Sequence, residues 1–87
     1  MINHDQGQLE EAIKYYQQAL AVAQKTGNLR AESERLGNLG VACYDLGQLV
    51  EAVDYHQAAL GIHRKIGDRR GESKDLGNLG MAYFEQL

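Results

Sequence analysis

One five-residue block, Leu-Gly-Asn-Leu-Gly, occurs twice in this chain and sets the spacing of the residues around it. It occupies residues 36–40 and, unchanged, residues 76–80. When residues 7–46 are aligned without gaps over residues 47–86, 20 of the 40 positions are identical. A strict period of this length is typical of repeat proteins, in which each unit buries its apolar face against its neighbours. The chain is therefore expected to fold as a short repeat array.

The repeated unit has the pattern of helices. The sequence contains no proline and is rich in Ala, Leu, Glu, Gln and Lys, which favour helix. Apolar residues recur at the three- and four-residue spacing of a helix with one buried face. Gly7, Gly27, Gly47 and Gly67 interrupt this pattern and are interpreted as breaks between helices. The predicted helices span residues 8–26, 29–46, 48–66 and 69–87.

Connections this short place neighbouring helices antiparallel, so the predicted fold class is all-α. Glycine inside a helix costs about 1 kcal/mol relative to alanine. The interior glycines of the two blocks therefore predict close helix approach, with Gly40 opposite Ala52 or Ala59. In the fourth helix the residues expected to face inward are Leu76, Leu79, Gly80, Ala82 and Tyr83.

These positions resemble the tetratricopeptide repeat, which has small residues at helix crossings and aromatic residues between them. The residues that carry the resemblance are Leu39-Gly40, Tyr44, Gly47, Ala52, Tyr55-His56 and Ala59-Leu60. The forty-residue period, the run at 67–72 and the repeated block are similar to the longer variant in Pins-type scaffolds and kinesin light chains. One departure is Cys43, where the family usually has an aromatic residue. The resemblance implies a right-handed solenoid whose first helix in each repeat lines a concave, peptide-binding groove.

In this frame residues 1–87 form a single domain in which residues 29–66 are the one complete repeat. Residues 8–26 and 69–87 are half repeats, and residues 1–6 are expected to be the tail of a preceding groove-lining helix. Each end should then expose an apolar face built for stacking. The chain is either part of a longer array or completes itself with another copy, as a dimer, a ring or a filament.

The candidate peptide-binding residues follow from the groove that the resemblance implies. An Asn amide can donate to and accept from a peptide backbone at once, and family asparagines at the place of Asn38 and Asn78 contact ligand backbone. The alternative is a solvated or locally bonded side chain. Residues expected to set charge preference are Arg30, Glu34, Arg70 and Lys74. Residues expected to supply apolar contacts are Val41, Tyr44, Met81 and Phe84. For Arg30, an ion pair with Glu34 one turn away is a competing interpretation. For Arg70, the competing interpretation is a solvated side chain that is repelled by Lys74.

Composition argues against several other classes of function. The formal net charge is −3 and the sequence pI is near 5.5, which does not favour nucleic acid or an anionic membrane. No apolar run approaches the length of a membrane span. The single cysteine, Cys43, fits a reducing compartment. Residues 1–6 lack the basic start and apolar core of a signal peptide, so a cytoplasmic protein is expected.

Two histidines and the cysteine raise the question of a metal site. His56 and His63 lie two turns apart on one predicted helix, with Cys43 on its neighbour. However, about 10 Å of helix rise separates the two histidines, and packed core side chains are the favoured interpretation. Motifs typical of enzymes are absent. The sequence therefore predicts a protein-binding module that has no catalytic activity and no cofactor.

Overall fold

A computed structural model of the chain describes residues 5–87. Four helices follow one another: α1 (Gln6–Thr26), α2 (Leu29–Asp45), α3 (Leu49–Ile66) and α4 (Arg69–Glu85). No strand occurs within these described residues. The predicted all-α fold is confirmed, and the helix bounds differ from the predicted ones by at most two residues.

The turns between helices depend on glycines with left-handed backbone conformation. Gly27, Gly47 and Gly67 have φ values of 69°, 80° and 74°, which residues with a Cβ rarely adopt. In the first and third turns, Asn28 and Asp68 then cap the next helix. Their side chains accept the backbone N–H three residues further on, at 3.1 and 2.9 Å. Local chemistry thus ends one helix and starts the next within two or three residues.

The beginning of α1 corrects the sequence prediction. Asp5 is the N-cap, and its carboxylate accepts the N–H of Gly7 at 2.8 Å. Gly7 therefore lies in the first turn of α1, and Asp5 and Gln6 are not the tail of a preceding helix. Residues 1–4 of that predicted tail lie outside the described residues.

Helices pack mainly against their neighbours along the chain: α1 with α2, α2 with α3 and α3 with α4, with a smaller contact between α2 and α4. Small side chains fill the crossings, since Ala52, Ala59 and Ala82 are fully buried. Leu39 is also fully buried. Because α2 and α4 both pack on α3 and also contact each other, these two helices lie side by side.

The structure confirms close helix approach at Gly40 but changes the residue that it meets. A Cβ added there would lie 2.5 Å from Nε2 of His56, so the imidazole, and not Ala52 or Ala59, occupies the space beside the glycine. For Gly37, Gly77 and Gly80, an added Cβ meets nothing within 4 Å in the described residues. At those three positions the predicted close approach is wrong.

The inward face predicted for α4 is only partly buried. Leu79 and Ala82 are buried against α3, whereas Leu76 and Tyr83 are 47% and 50% exposed and Gly80 is exposed. The prediction that these last three face a packed interior is wrong for the described chain. The reason is that α3 covers one side of α4, and no described element covers the other.

Candidate functional site

A cavity of about 400 Å³ lies where α2 and α4 come side by side. Its walls are formed mainly by these two helices, with Asp68 from the turn before α4 and His63 from α3. In the predicted repeat frame, α2 and α4 are the first helices of consecutive repeats. The cavity therefore occupies the surface that was expected to bind a peptide.

Six of the ten candidate binding residues line this cavity: Glu34, Asn38, Val41, Arg70, Lys74 and Asn78. Asn38 and Asn78 are half-buried and occupy the same position in consecutive repeats, so the helix stacking brings both amides to one cavity. Within residues 5–87 neither amide has a hydrogen-bond partner. The structure thus does not support the locally bonded alternative.

Two carboxylates that line the cavity have partners within the protein. Asp68 accepts the N–H of Gly71, which lowers the pKa of its carboxyl below the ordinary value, and Arg30 adds to that effect. Asp75 is 2% exposed and is hydrogen-bonded to Nδ1 of His63. Both carboxylates therefore already have partners.

The other charged side chains of the cavity wall are three cations and one carboxylate. In the described part of the chain, Arg35, Arg70 and Lys74 have no ion-pair partner, and neither does Glu34. The unpaired charge is therefore net positive, although the whole chain is negative. Such a wall favours a ligand that carries carboxylates.

The candidate apolar residues extend the surface beyond the cavity. Val41, Tyr44 and Met81 line a smaller hollow of about 120 Å³ together with Asn78 and His56. Tyr44, Met81 and Phe84 also line an open hollow of about 470 Å³. Burial raises the pKa of the Tyr44 hydroxyl, as does the neighbouring Glu85, so this hydroxyl remains protonated at neutral pH.

Arg30 is the one candidate residue that lines none of these hollows. Its guanidinium lies 3.1 Å from Oδ2 of Asp68. The competing interpretation, an ion pair with Glu34, named the wrong partner. Arg30 instead joins the start of α2 to the residue that caps α4, at one edge of the cavity.

Sequence reasoning missed the buried pair of His63 and Asp75. The imidazole lies against Gly71, where an added Cβ would overlap the ring, so the pair depends on the absence of a side chain at that position. A signal existed, because all three residues differ from their counterparts one repeat earlier. Those counterparts are Ala23, Ala31 and Arg35.

The packed-core interpretation of the histidines is confirmed. His56, His63 and Cys43 are 2%, 7% and 3% exposed. Among residues 5–87 no group of three or more His, Cys, Asp or Glu side chains is placed to hold a metal ion. Burial raises the pKa of the Cys43 thiol, with a further contribution from Glu51, so the thiol is protonated at neutral pH.

Stacked antiparallel helix pairs with a cavity along their first helices define a helical repeat protein. The family model for the tetratricopeptide repeat matches residues 1–65 and again residues 29–86. The chain belongs to the tetratricopeptide repeat family. Members of this family are in general non-catalytic modules for protein–protein interaction.

A search of curated proteins finds no significant match to this sequence. None of the helices within residues 5–87 has the length and apolar character needed to cross a membrane.

Proposed function

We propose that this chain binds an extended segment of a partner protein along the surface formed by α2 and α4. The observation that carries the proposal is the convergence of the Asn38 and Asn78 amides on one cavity whose unpaired charges are mainly cationic. Both amides are free of protein partners in residues 5–87. Each can therefore pair with a backbone N–H and C=O of an extended ligand.

The charge of the wall points to a segment rich in Asp and Glu. Arg70 and Lys74 are exposed residues on the first two turns of α4, and Arg35 faces them from α2. Carboxylates of the ligand would make charge-assisted hydrogen bonds with these side chains. Since the groups are partly exposed, the attraction should weaken as salt increases.

Apolar side chains of the ligand would contact the far end of the surface. Val41, Met81 and Phe84 are 44%, 53% and 71% exposed and lie beside the hollows that continue from the cavity. An acidic segment followed by apolar residues therefore fits this surface best. We propose that the binding takes place in the cytoplasm, as the single cysteine suggests.

Fluorescence anisotropy with three labelled peptides of equal length, acidic, neutral and basic, tests the proposal. We expect the acidic peptide to bind most tightly. Replacing both clamp residues, as in Asn38→Ala/Asn78→Ala, removes hydrogen bonds worth about 0.5–1.5 kcal/mol each and should weaken binding by about tenfold. The control Gln18→Ala removes an exposed amide from α1, outside the cavity. Equal affinity of the double variant and wild type would eliminate the clamp.

The charge preference has its own matched pair of variants. Lys74→Ala removes a cation of the cavity wall, while Lys65→Ala removes an exposed cation from α3, outside the cavity. Both change the net charge equally. We expect Lys74→Ala alone to weaken the acidic peptide and to reduce its salt dependence. If the two variants behave alike, the preference is a property of overall charge and not of this site.

A separate observation supports a second function, self-association. Large apolar side chains are exposed on the first and last helices, among them Tyr15 at 65% and Val22 at 61% on α1, and Leu76 and Tyr83 on α4. Exposed apolar faces of this kind mark interaction surfaces. We propose that copies of the chain associate through their terminal helices.

A further inference from the structure

One face of α4 is open, although the equivalent face of α2 is closed. The open face, here called the α4 stripe, follows the three- and four-residue spacing of one helix side. It consists of Ser73, Leu76, Gly80 and Tyr83. The counterparts forty residues earlier are Ser33, Leu36, Gly40 and Cys43, all buried. Leu76 is 47% exposed where Leu36 is 6% exposed, and Tyr83 is 50% exposed where Cys43 is 3% exposed. The difference arises because α3 covers α2 on this side.

The helix α1 is the counterpart of α3, and it is open on the complementary side. This α1 stripe consists of Ala12, Tyr15, Tyr16, Ala19 and Val22. In α3 the counterparts of its two alanines, Ala52 and Ala59, are fully buried. In α1 both alanines are only half-buried. In α2 and α3 these two kinds of face are packed against each other. In α4 and α1 the equivalent faces are both open.

We propose that the α4 stripe of one copy packs against the α1 stripe of a second copy, in the arrangement that α2 and α3 adopt within one chain. This inference rests on the proposed self-association and names its contact. Within the chain, Gly40 provides space for the His56 ring. The equivalent pair across the junction is Gly80 and Tyr16 of the second copy. Gly80 has nothing within 4 Å of an added Cβ, so its space is vacant for that ring.

The contact joins two different surfaces, so it is heterologous and propagates head to tail.

The same contact extends the proposed peptide-binding surface of α2 and α4 from one copy to the next. Within one chain, α2 packs on α1 and α4 packs on α3, so the two pairs are equivalent. A junction built on that order places α2 of the second copy beside α4 of the first. Asn78 of the first copy and Asn38 of the second then lie one repeat apart, and the peptide-binding surface continues across the junction.

Binding of a long segment and assembly should consequently reinforce each other, because a segment that spans the junction contacts both copies. A segment that fits within one copy makes no such contact. Long and short acidic peptides therefore separate the two cases: only the long peptide should raise the apparent mass of the assembly.

Sedimentation velocity from micromolar to submillimolar concentration, with two glycine variants, tests the junction. Gly80→Ala should weaken association by about tenfold or more, since a Cβ there would meet the Tyr16 ring as a Cβ at Gly40 meets His56. Gly77→Ala is the matched control on the same helix. Its counterpart Gly37 has no atom within 4 Å of an added Cβ although α2 is covered on both sides, so association should be unchanged. Equal weakening in both variants, or in neither, would overturn the junction.

A complementation experiment identifies the partner surfaces. Gly80→Leu blocks the α4 stripe and leaves the α1 stripe intact, whereas Ala19→Arg does the reverse. Each variant alone should be monomeric, and their mixture should form a dimer and nothing larger. Circular dichroism shows whether both fold. If Ala19→Arg still associates alone, α4 pairs with something other than α1, and this inference falls while self-association stands. If wild type remains monomeric throughout, both fall, and the peptide-binding proposal is unaffected.

Discussion

His56 shows at the scale of one residue how packing in this fold is linked to pH. Its side chain is 2% exposed, and Nδ1 is a buried side-chain atom without a hydrogen-bond partner in the described residues. Burial lowers the pKa of the imidazole below its ordinary value, and the charge of Asp75 partly opposes that shift. The folded chain therefore favours neutral His56.

Stability should consequently fall on acidification through the histidine range. Because the folded pKa is below the unfolded value of about 6.5, the unfolded chain binds more protons between the two values. The contribution of neutral His56 is then complete above about pH 6.5 and is lost as pH falls toward the folded pKa. Urea unfolding of wild type and His56→Gln across this range measures it. A variant with the same pH slope as wild type would show that His56 is not responsible.

The two glycines of the first block should respond in opposite ways to the same substitution. Gly40→Ala places a methyl group 2.5–2.8 Å from three atoms of the buried His56 ring, and should destabilise by about 1–3 kcal/mol. Gly37→Ala meets nothing within 4 Å and should stabilise by about 0.5–1 kcal/mol through helix propensity. Chemical denaturation measures both changes. Stabilisation by Gly40→Ala would contradict the close contact with His56.

Residue-scale features were the hardest to predict from the sequence. The position of Gly40 at a crossing followed from the repeat pattern, but the ring beside it did not. His63 and Asp75 are twelve positions apart on different helices, so their hydrogen bond depends on how α3 and α4 approach. That Asn38 and Asn78 line one cavity was predictable, because a strict repeat places equivalent residues on equivalent faces.

At the scale of the element, Asp68 has two roles. Its carboxylate caps α4 by accepting the N–H of Gly71 at 2.9 Å, and its other oxygen lies 3.1 Å from the Arg30 guanidinium. The cap satisfies a helix N–H that would otherwise lack a partner. The ion pair involves an Arg30 side chain that is 64% exposed, and such pairs contribute little.

Two substitutions separate these roles. Asp68→Ala removes both and should destabilise by about 1 kcal/mol, a typical cost of losing an N-cap. Asp68→Asn keeps an oxygen that can cap while removing the charge, and should cost well under half of that. Thermal unfolding followed by circular dichroism measures both variants. If asparagine is as damaging as alanine, the ion pair and not the cap is the larger contribution.

The helices themselves were well predicted because their signals are local. Left-handed glycines and the caps at Asn28 and Asp68 lie within two residues of the helix ends that they determine. The start of α1 was misjudged because Gly7 was assigned the role of Gly47. Asp5 offers a carboxylate to the N–H of Gly7, and this cap allows the helix to begin earlier.

At the scale of the whole molecule, helices contact mainly their neighbours in the chain. Stability in such an array is approximately a sum of the repeats and of the contacts between them. The helices α2 and α3 each pack on two principal neighbours, whereas α1 and α4 each pack principally on one. Local unfolding of the chain should therefore begin at α1 and α4.

Amide hydrogen exchange at low micromolar concentration should show this order, with the slowest exchange in α2 and α3. The same measurement at high concentration should slow exchange in α1 and α4 specifically, because the proposed junction covers these two helices. Uniform protection of all four helices in the dilute chain would contradict neighbour-limited packing.

The sequence by itself determined the period, the four helices and the turns, because each depends on residues close together in the chain or one repeat apart. Tertiary structure decided which ring lies beside Gly40, that Arg30 pairs with Asp68 and not with Glu34, and that His63 is hydrogen-bonded to Asp75. It also decided which residues form the open α4 stripe, whereas an exposed apolar face at each end was already expected from the half repeats. These features depend on the approach of side chains from different helices and on which neighbours are present to cover a face, and local pattern contains neither.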